Sequence, residues 1–437
     1  MITAGKPKDF VLPTPTSWTL DNGMRATLVP FGRVPKVEVR LVVRTGNIDE
    51  SAGEIWLSDL AGALLKEGAG DLDGVGLARA VALTGGELSV RVGLDATTLT
   101  TDGLSERAPQ LIELLGQVVT APAFPESEFS RVQKNKLLRL ADSRTRPATL
   151  ANMHFFRVLY GDHPYGRTFP TDELLSSYCL EQAQEFYAHH YGARRVSLYV
   201  VGLFDLEAVR SAVERAFAGW RAGRPPTANV PEVEYRGRRV RLVDRPGAAQ
   251  SAIRFGLPVI DPSHPDYLKL LVTDALLGGY FGSRIVANLR EDKGYTYSPH
   301  TTTFPRYQTA YWALRAYVDT PHTGAALQEV VKEIERLSAE PPPAAELEGV
   351  KTYLSGLFVR VNSGAASIAR QLDYVDFHGL GGRRHLETYT RRLREVTPQQ
   401  VQRTVSGYLQ PENMVLAVAG DRQAIEAQLE PFGELID

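Results

Sequence analysis

Histidine is where metal chemistry would show first, and the nine histidines of this 437-residue chain are not spaced for it. Two ligands on one helical turn need H-E-x-x-H or its inverse H-x-x-E-H, and neither occurs. His189 and His190 are adjacent and leave a helix toward different faces, and His163 sits in the turn-like Asp162-His163-Pro164-Tyr165-Gly166. The single cysteine, Cys179, rules out an intramolecular disulfide and any multi-cysteine zinc or iron–sulfur centre. It is expected to be a small buried hydrophobe near a helix start. No G-x-S-x-G elbow and no Walker A loop are present. The cluster Gly278-Gly279-Tyr280-Phe281-Gly282 follows a helical pattern rather than a strand, so it reads as a helix stop and not as a dinucleotide loop. The stretch from Phe281 to Ser298 (FGSRIVANLREDKGYTYS) is the most informative one. By its residues alone it is an amphipathic helix with Ile285 and Leu289 inward, stopped by Gly294 and entering a strand. On that reading Arg290 and Tyr297 form an ordinary exposed pair.

The composition is that of a globular protein: 43% apolar, 23% charged, with 49 basic and 51 acidic residues for a net charge of −2. That near balance argues against a dedicated nucleic-acid binder and against disorder. No run approaches 18 consecutive apolar residues, so no membrane span is expected. Met1 to Phe10 is polar and lacks the apolar core of a signal peptide, which makes the cytoplasm the expected location. A chain already trimmed of such a signal, and so periplasmic, would read the same.

Periodicity supplies the elements. Lys36 to Thr45 alternates, with Val37, Val39, Leu41 and Val43 on one face, as do Leu88, Val90, Val92 and Leu94. Helical spacing covers Glu54–Glu67, Glu106–Val119 and Glu126–Arg144, the last with a basic outer face. In the second half, Ser251–Val259 and Gln308–Val318 read as strands. Asp266–Leu277, Gly324–Ala339, Ala344–Val361 and Ala365–His378 read as helices. The aromatic-rich Phe304 to Tyr317 reads as a core strand.

The chain also repeats itself. Shifted by 218 positions, Gln182 falls on Gln400, Gln184 on Gln402, Leu198 on Leu416, Val200 on Val418 and Gly202 on Gly420. That offset is half the chain, so the repeat reads as two homologous domains. The expected boundaries are 1–220 and 239–437, joined by a proline-rich linker at 221–238. Strands and helix pairs in blocks predict an α+β fold.

The pattern S-R-x-x-x-x-L-R-E-x-x-G-Y-x-Y-S from Ser283 to Ser298 resembles a C-terminal-domain motif of the pitrilysin/insulysin/mitochondrial-processing-peptidase family of zinc metallopeptidases. The resemblance extends over essentially the whole chain. It implies two α+β domains, each an antiparallel-rich sheet with helices packed on one face, together forming half of a clam-like chamber. It implies that Arg290 and Tyr297, seven residues apart, reach toward substrate at a metal. Ser283 and Arg284 would position the helix or contact substrate, and so would Tyr295, which shares a face with Tyr297 if the segment is a strand. By analogy with the family, substrate peptide adds to a strand edge at Leu88–Thr98.

The family's zinc helix reads roughly G-x-A-H-x-x-E-H-x-x-x-x-G. Aligned on Gly68, the corresponding positions here are Asp59, Gly62 and Ala63, and no histidine occurs between Gly46 and Leu150. The family's third ligand is a glutamate on a later helix, where Phe129 to Ala141 holds no acid and Arg139 falls nearest. Tetrahedral zinc takes about three protein ligands, and hydrolysis also needs a general base. The chain is therefore expected to bind no cofactor itself. The family includes paired subunits in which one chain carries H-x-x-E-H and the other does not. The resemblance thus implies a non-zinc-binding subunit of a peptide-processing heterodimer, inactive alone, whose zinc sits in a homologous partner. The alternative is a non-catalytic scaffold like the core proteins of the respiratory complex. A homodimer is a further possibility when the partner is absent.

Overall fold

The computed structural model of the chain describes residues 10–231 and 237–436. Most of the polar N-terminal stretch (1–9), residues 232–236 of the linker and Asp437 lie outside the described residues.

The first half holds β1 (Thr16–Thr19), β2 (Arg25–Pro30), β3 (Lys36–Val43), a small hairpin of β4 (Gly68–Ala69) and β5 (Leu72–Asp73), then β6 (Ser89–Val92), β7 (Thr97–Leu104) and β8 (Val196–Gly202). Its helices are α1 (Leu57–Leu64), α2 (Gly74–Ala82), α3 (Ala108–Thr120), α4 (Glu126–Thr145), α5 (Pro147–Tyr160), α6 (Asp172–Ser177), α7 (Leu180–His190) and α8 (Leu206–Phe217). The second half holds β9 (Arg239–Asp244), β10 (Gln250–Val259), β11 (His300–Arg306), β12 (Thr309–Asp319), β13 (Val415–Gly420) and β14 (Glu434–Ile436). Its helices are α9 (Tyr267–Asp274), α10 (Arg284–Val286), α11 (Thr323–Ala339), α12 (Ala344–Val361), α13 (Ala365–Phe377), α14 (Arg383–Arg394), α15 (Pro398–Tyr408) and α16 (Arg422–Leu429).

Two six-stranded sheets result, in the orders β1-β2-β8-β3-β7-β6 and β11-β12-β10-β13-β9-β14. Read from opposite ends the second repeats the first, since β9-β13-β10-β12-β11 matches β2-β8-β3-β7-β6. The helices keep the 218-residue offset: α7 begins at Leu180 and α15 at Pro398, α4 at Glu126 and α12 at Ala344, α5 at Pro147 and α13 at Ala365. The duplication read from five matched residues is thus a duplication of architecture.

The alternation read in β3 does what it implies. Val37, Val39, Leu41 and Val43 are buried in one core with Leu60, Leu111, Leu115 and Phe217. Their counterparts Ile253, Phe255 and Leu257 of β10 enter a second core with Trp312, Leu327 and Ile334. Each sheet thus packs its own domain's helices on one face. The opposite face is not left bare. Val29, Val42, Tyr199 and Val201 of the first sheet receive Ile368, Ala369, Leu372 and Val375 of α13. Reciprocally, Tyr311, Ala313, Val415 and Ala417 of the second sheet receive Phe155, Phe156 and Leu159 of α5. The two halves exchange equivalent helices.

Three sequence expectations change. Cys179 is exposed, not buried, because it caps the start of α7 from a surface loop. Phe304 to Tyr317 is a hairpin with its turn at Tyr307–Gln308, where Gln308 adopts a left-handed φ of 53°. Finally, Tyr267–Asp292 is long and apolar enough by composition to cross a membrane, although it has no uninterrupted apolar run. In the structure Leu270, Leu276, Leu277, Ile285 and Leu289 from this stretch fill the second core.

Candidate functional site

Arg290 is presented by an irregular helix. After α9 the chain makes a π-helical turn (Ala275–Gly279), becomes extended at Tyr280, and resumes as α10 before a second π-helical turn at Ala287–Asp292. Turns of this wide type are often found at functional sites, and this one carries Arg290. Its supports are explicit. Ser283 is buried and its Oγ donates to the Tyr280 carbonyl at 2.6 Å. The Arg284 guanidinium makes two hydrogen bonds, of 2.8 and 2.7 Å, to the Glu346 carboxylate of α12. Asn288 Nδ2 donates to Glu329 and Glu333 of α11. Ser283 and Arg284 are therefore committed to holding the helix, and these bonds leave neither directed at a substrate.

Gly294 ends the helix with a left-handed φ of 65°, a conformation that costs glycine nothing. Tyr295 N then donates back to the Leu289 carbonyl. The strand that follows, β11, begins only at His300, so Tyr295 and Tyr297 lie outside it and the alternation expected for them does not arise. Tyr295 packs against the second core and stacks on His322, with ring centroids 4.6 Å apart. Tyr297 is 78% exposed. The Arg290 guanidinium lies 4.6 Å from the ring centroids of both Phe281 and Tyr297. Its one carboxylate neighbour is the exposed Glu291, at 3.1 Å. The Tyr297 hydroxyl has no hydrogen-bond partner among the described residues. Both groups open onto a cleft of about 610 Å³. The structure thus brings together the arginine and the tyrosine that the sequence singled out, beside one cleft.

The zinc-site positions are arranged differently. Asp59 of α1 accepts from Lys136 Nζ of α4 at 2.8 Å and from Asn47 Nδ2 at 3.0 Å. Both members of the ion pair are largely shielded from solvent. Gly62 is pressed on the edge strand β6: a Cβ there would lie 2.3 Å from Val92 Cγ2. Ala63 offers no donor atom, and Arg139 points outward and is exposed. Lys136, one turn earlier, is the α4 residue that meets α1; its role depends on how two helices abut, which neither helix states alone. Glu50, also missed in the sequence, is buried and accepts from the backbone N–H and hydroxyl of Ser58, from Asn47 Nδ2 and from Trp56 N. Burial pushes its carboxyl up to about 8. An ammonium, a glycine without side-chain room and an alanine do not form a zinc site. No group of three His, Cys, Asp or Glu suited to a metal occurs among the described residues.

Of the stretch read as an edge at Leu88–Thr98, only Ser89–Val92 is the edge strand; residues 93–96 form a turn, and Thr97 and Thr98 begin the next strand. β6 pairs only with β7 and closes one border of the first sheet.

Comparison with known proteins completes the picture. Residues 33–172 match the family described as insulinase (peptidase family M16), and residues 179–354 match the peptidase M16 inactive domain. The chain belongs to the M16 peptidase family. An M16-type relative, an uncharacterized zinc protease of Mycobacterium bovis, is 24% identical over 95% of this chain and 96% of its own length. Among solved structures, a peptidase M16 inactive domain from Pseudomonas fluorescens superposes with a TM-score of 0.85 at 23% identity, covering 93% of this chain and 98% of that one. A chain of Complex III2 from Candida albicans superposes with a TM-score of 0.79 at 13% identity, covering 96% of this chain and all of that one. The fold is thus shared with a chain of Complex III2.

Proposed function

We propose that this chain is the metal-free subunit of a two-chain M16 peptidase, pairing with a zinc-bearing homologue and lending it Arg290 and Tyr297. One observation carries the reading: the helix that presents Arg290 is braced by side-chain bonds at Ser283 and Arg284, while Arg290 and Tyr297 lie against each other in the lining of a cleft. The guanidinium is permanently charged and presents a planar fork, suited to gripping a peptide carbonyl. The tyrosine hydroxyl is a donor for the oxyanion that develops as that carbonyl is attacked, and such a donor is typically worth about 3–4 kcal/mol of barrier. The hydrolytic water and its base come from the partner, because Asp59, Gly62, Ala63 and Lys136 provide neither.

The second reading is a non-catalytic scaffold or peptide-binding subunit, favoured by the likeness to the Complex III2 chain. A scaffold has no use for an arginine and a tyrosine presented to a cleft by a braced helix. The two readings part in a tagged pull-down from the source organism. A stoichiometric homologue bearing H-x-x-E-H supports the paired peptidase. Recovery of the chain alone, as monomer or homodimer, or with unrelated proteins, moves the assignment to the scaffold.

A further inference from the structure

The cleft that holds Arg290 and Tyr297 continues over the open face of the second sheet. There three basic residues stand in register on adjacent strands: His300 of β11 is directly opposite Arg315 of β12, and Arg315 is directly opposite Arg254 of β10. Directly opposed residues share a face, and their flanking neighbours Ile253, Phe255, Leu314 and Ala316 are buried in the core beneath. Like charges placed opposite one another destabilise a sheet. No acid among the described residues relieves this. Neither Arg254 nor Arg315 has a hydrogen bond or an ion pair with an acid among the described residues, and no acidic residue lines the cleft.

Three other shielded arginines do have acid partners. Arg40 is paired with Asp373, Arg195 with Asp49, and Arg284 with Glu346. Arg254 is half-buried, and burial together with the Arg315 charge disfavours its cationic form. Burial and the same Arg315 charge lower the His300 pKa. The neighbouring positions on this face, Ala252 and Ala419, are covered by Ala151 of α5, so the basic row begins where that cover ends. Arg290 and Tyr317 flank it.

We propose that the His300–Arg315–Arg254 row is a subsite for a peptide carboxylate, so that the cleft selects peptides bearing an acidic group near the bond held by Arg290 and Tyr297. The inference rests on the cleft being a peptide site, and not on the pairing with a zinc-bearing chain. A guanidinium–carboxylate contact is among the strongest polar contacts available to a protein. Two sources supply that group: an aspartate or glutamate side chain, or the peptide's own C-terminus.

The test is fluorescence anisotropy on the full chain with three labelled peptides of equal length. One carries glutamates and an amidated C-terminus, one carries glutamines and a free C-terminus, and one carries glutamines and an amide. Both acid-bearing classes, or one of them, should bind about tenfold or more tighter than the neutral peptide, and whichever does identifies the source. Arg315→Gln, at an exposed position that the fold does not depend on, and Arg254→Gln should abolish that advantage. Equal affinity for all three peptides, no binding of any, or an advantage that survives both substitutions overturns the proposal. Failure to recover a zinc-bearing homologue would leave these affinities untouched, so the two results are independent.

Discussion

Lys136 Nζ lies 2.8 Å from Asp59 Oδ1, and the pair joins the two helices that would have to supply the metal ligands of an M16 zinc site. Both side chains are mostly buried, so each depends on the other. Removing one partner of such a pair strands a charge, whereas replacing both with apolar groups can be nearly neutral. Lys136→Met is expected to destabilise the chain by about 3 kcal/mol, and Asp59→Leu combined with Lys136→Met by much less. Urea denaturation of the two single variants and the double variant checks this. Additive losses would show that the pair is not coupled.

Gly62 cannot simply be restored to the family's glutamate. Its Cβ direction is occupied by Val92, a β-branched residue with little freedom to turn away. Gly62→Ala should cost about 1–3 kcal/mol, with Val92→Ala recovering most of it. Thermal unfolding of the three proteins decides the matter, and a silent Gly62→Ala would mean that β6 yields.

Tyr297→Phe removes one hydroxyl from a residue that is 78% exposed. Stability should not change. With the zinc-bearing partner present, turnover should fall at least about tenfold while the complex stays intact. Steady-state kinetics beside size-exclusion chromatography separates the two effects, and unchanged turnover removes the proposed role.

The Arg284–Glu346 contact braces the helix from behind. Glu346→Gln should lower turnover of the complex and raise the exposure of Arg290 to hydrogen exchange in the 284–292 segment. A structural brace with no bearing on the site would change the exchange but not the kinetics.

Glu50 makes stability pH-dependent. The folded chain holds its proton up to about 8, against an ordinary value of 4.5. Its contribution is complete below 4.5 and is lost as pH rises toward 8, with a slope of at most ~1.4 kcal/mol per pH unit. Glu50→Gln keeps a side-chain acceptor for Ser58 and loses that slope. The difference in Tm between variant and wild type should therefore move in the variant's favour from pH 5 to pH 8. A constant difference would show that Glu50 ionises as it does in the unfolded chain.

Much of the fold was legible because local periodicity and the 218-residue repeat both survive in the structure. The alternating strands at Lys36 and Ser251 and the long helices from Gly324 to His378 lie where their patterns put them. Arg290 and Tyr297 were legible from a motif. What was not legible depends on one element meeting another. The contact of Lys136 with Asp59 is set by helix packing, and the basic row at His300, Arg315 and Arg254 by the register of three strands. The arginine-rich α14 carries few apolar residues to announce it. The strand after Gly294 starts at His300 rather than at Tyr295, so Tyr295 and Tyr297 do not share a strand face.

The reciprocal placement of α5 and α13 has a mechanical consequence. Each half seals the far side of the other's sheet, and Arg40–Asp373 ties β3 to α13 across the exchange. Prising the halves apart would wet two apolar surfaces at once, which opposes an internal hinge. In the proposed two-chain peptidase, the opening that admits a long peptide would then fall at the seam between the chains, and the rate of that seam's opening would govern how quickly substrate enters.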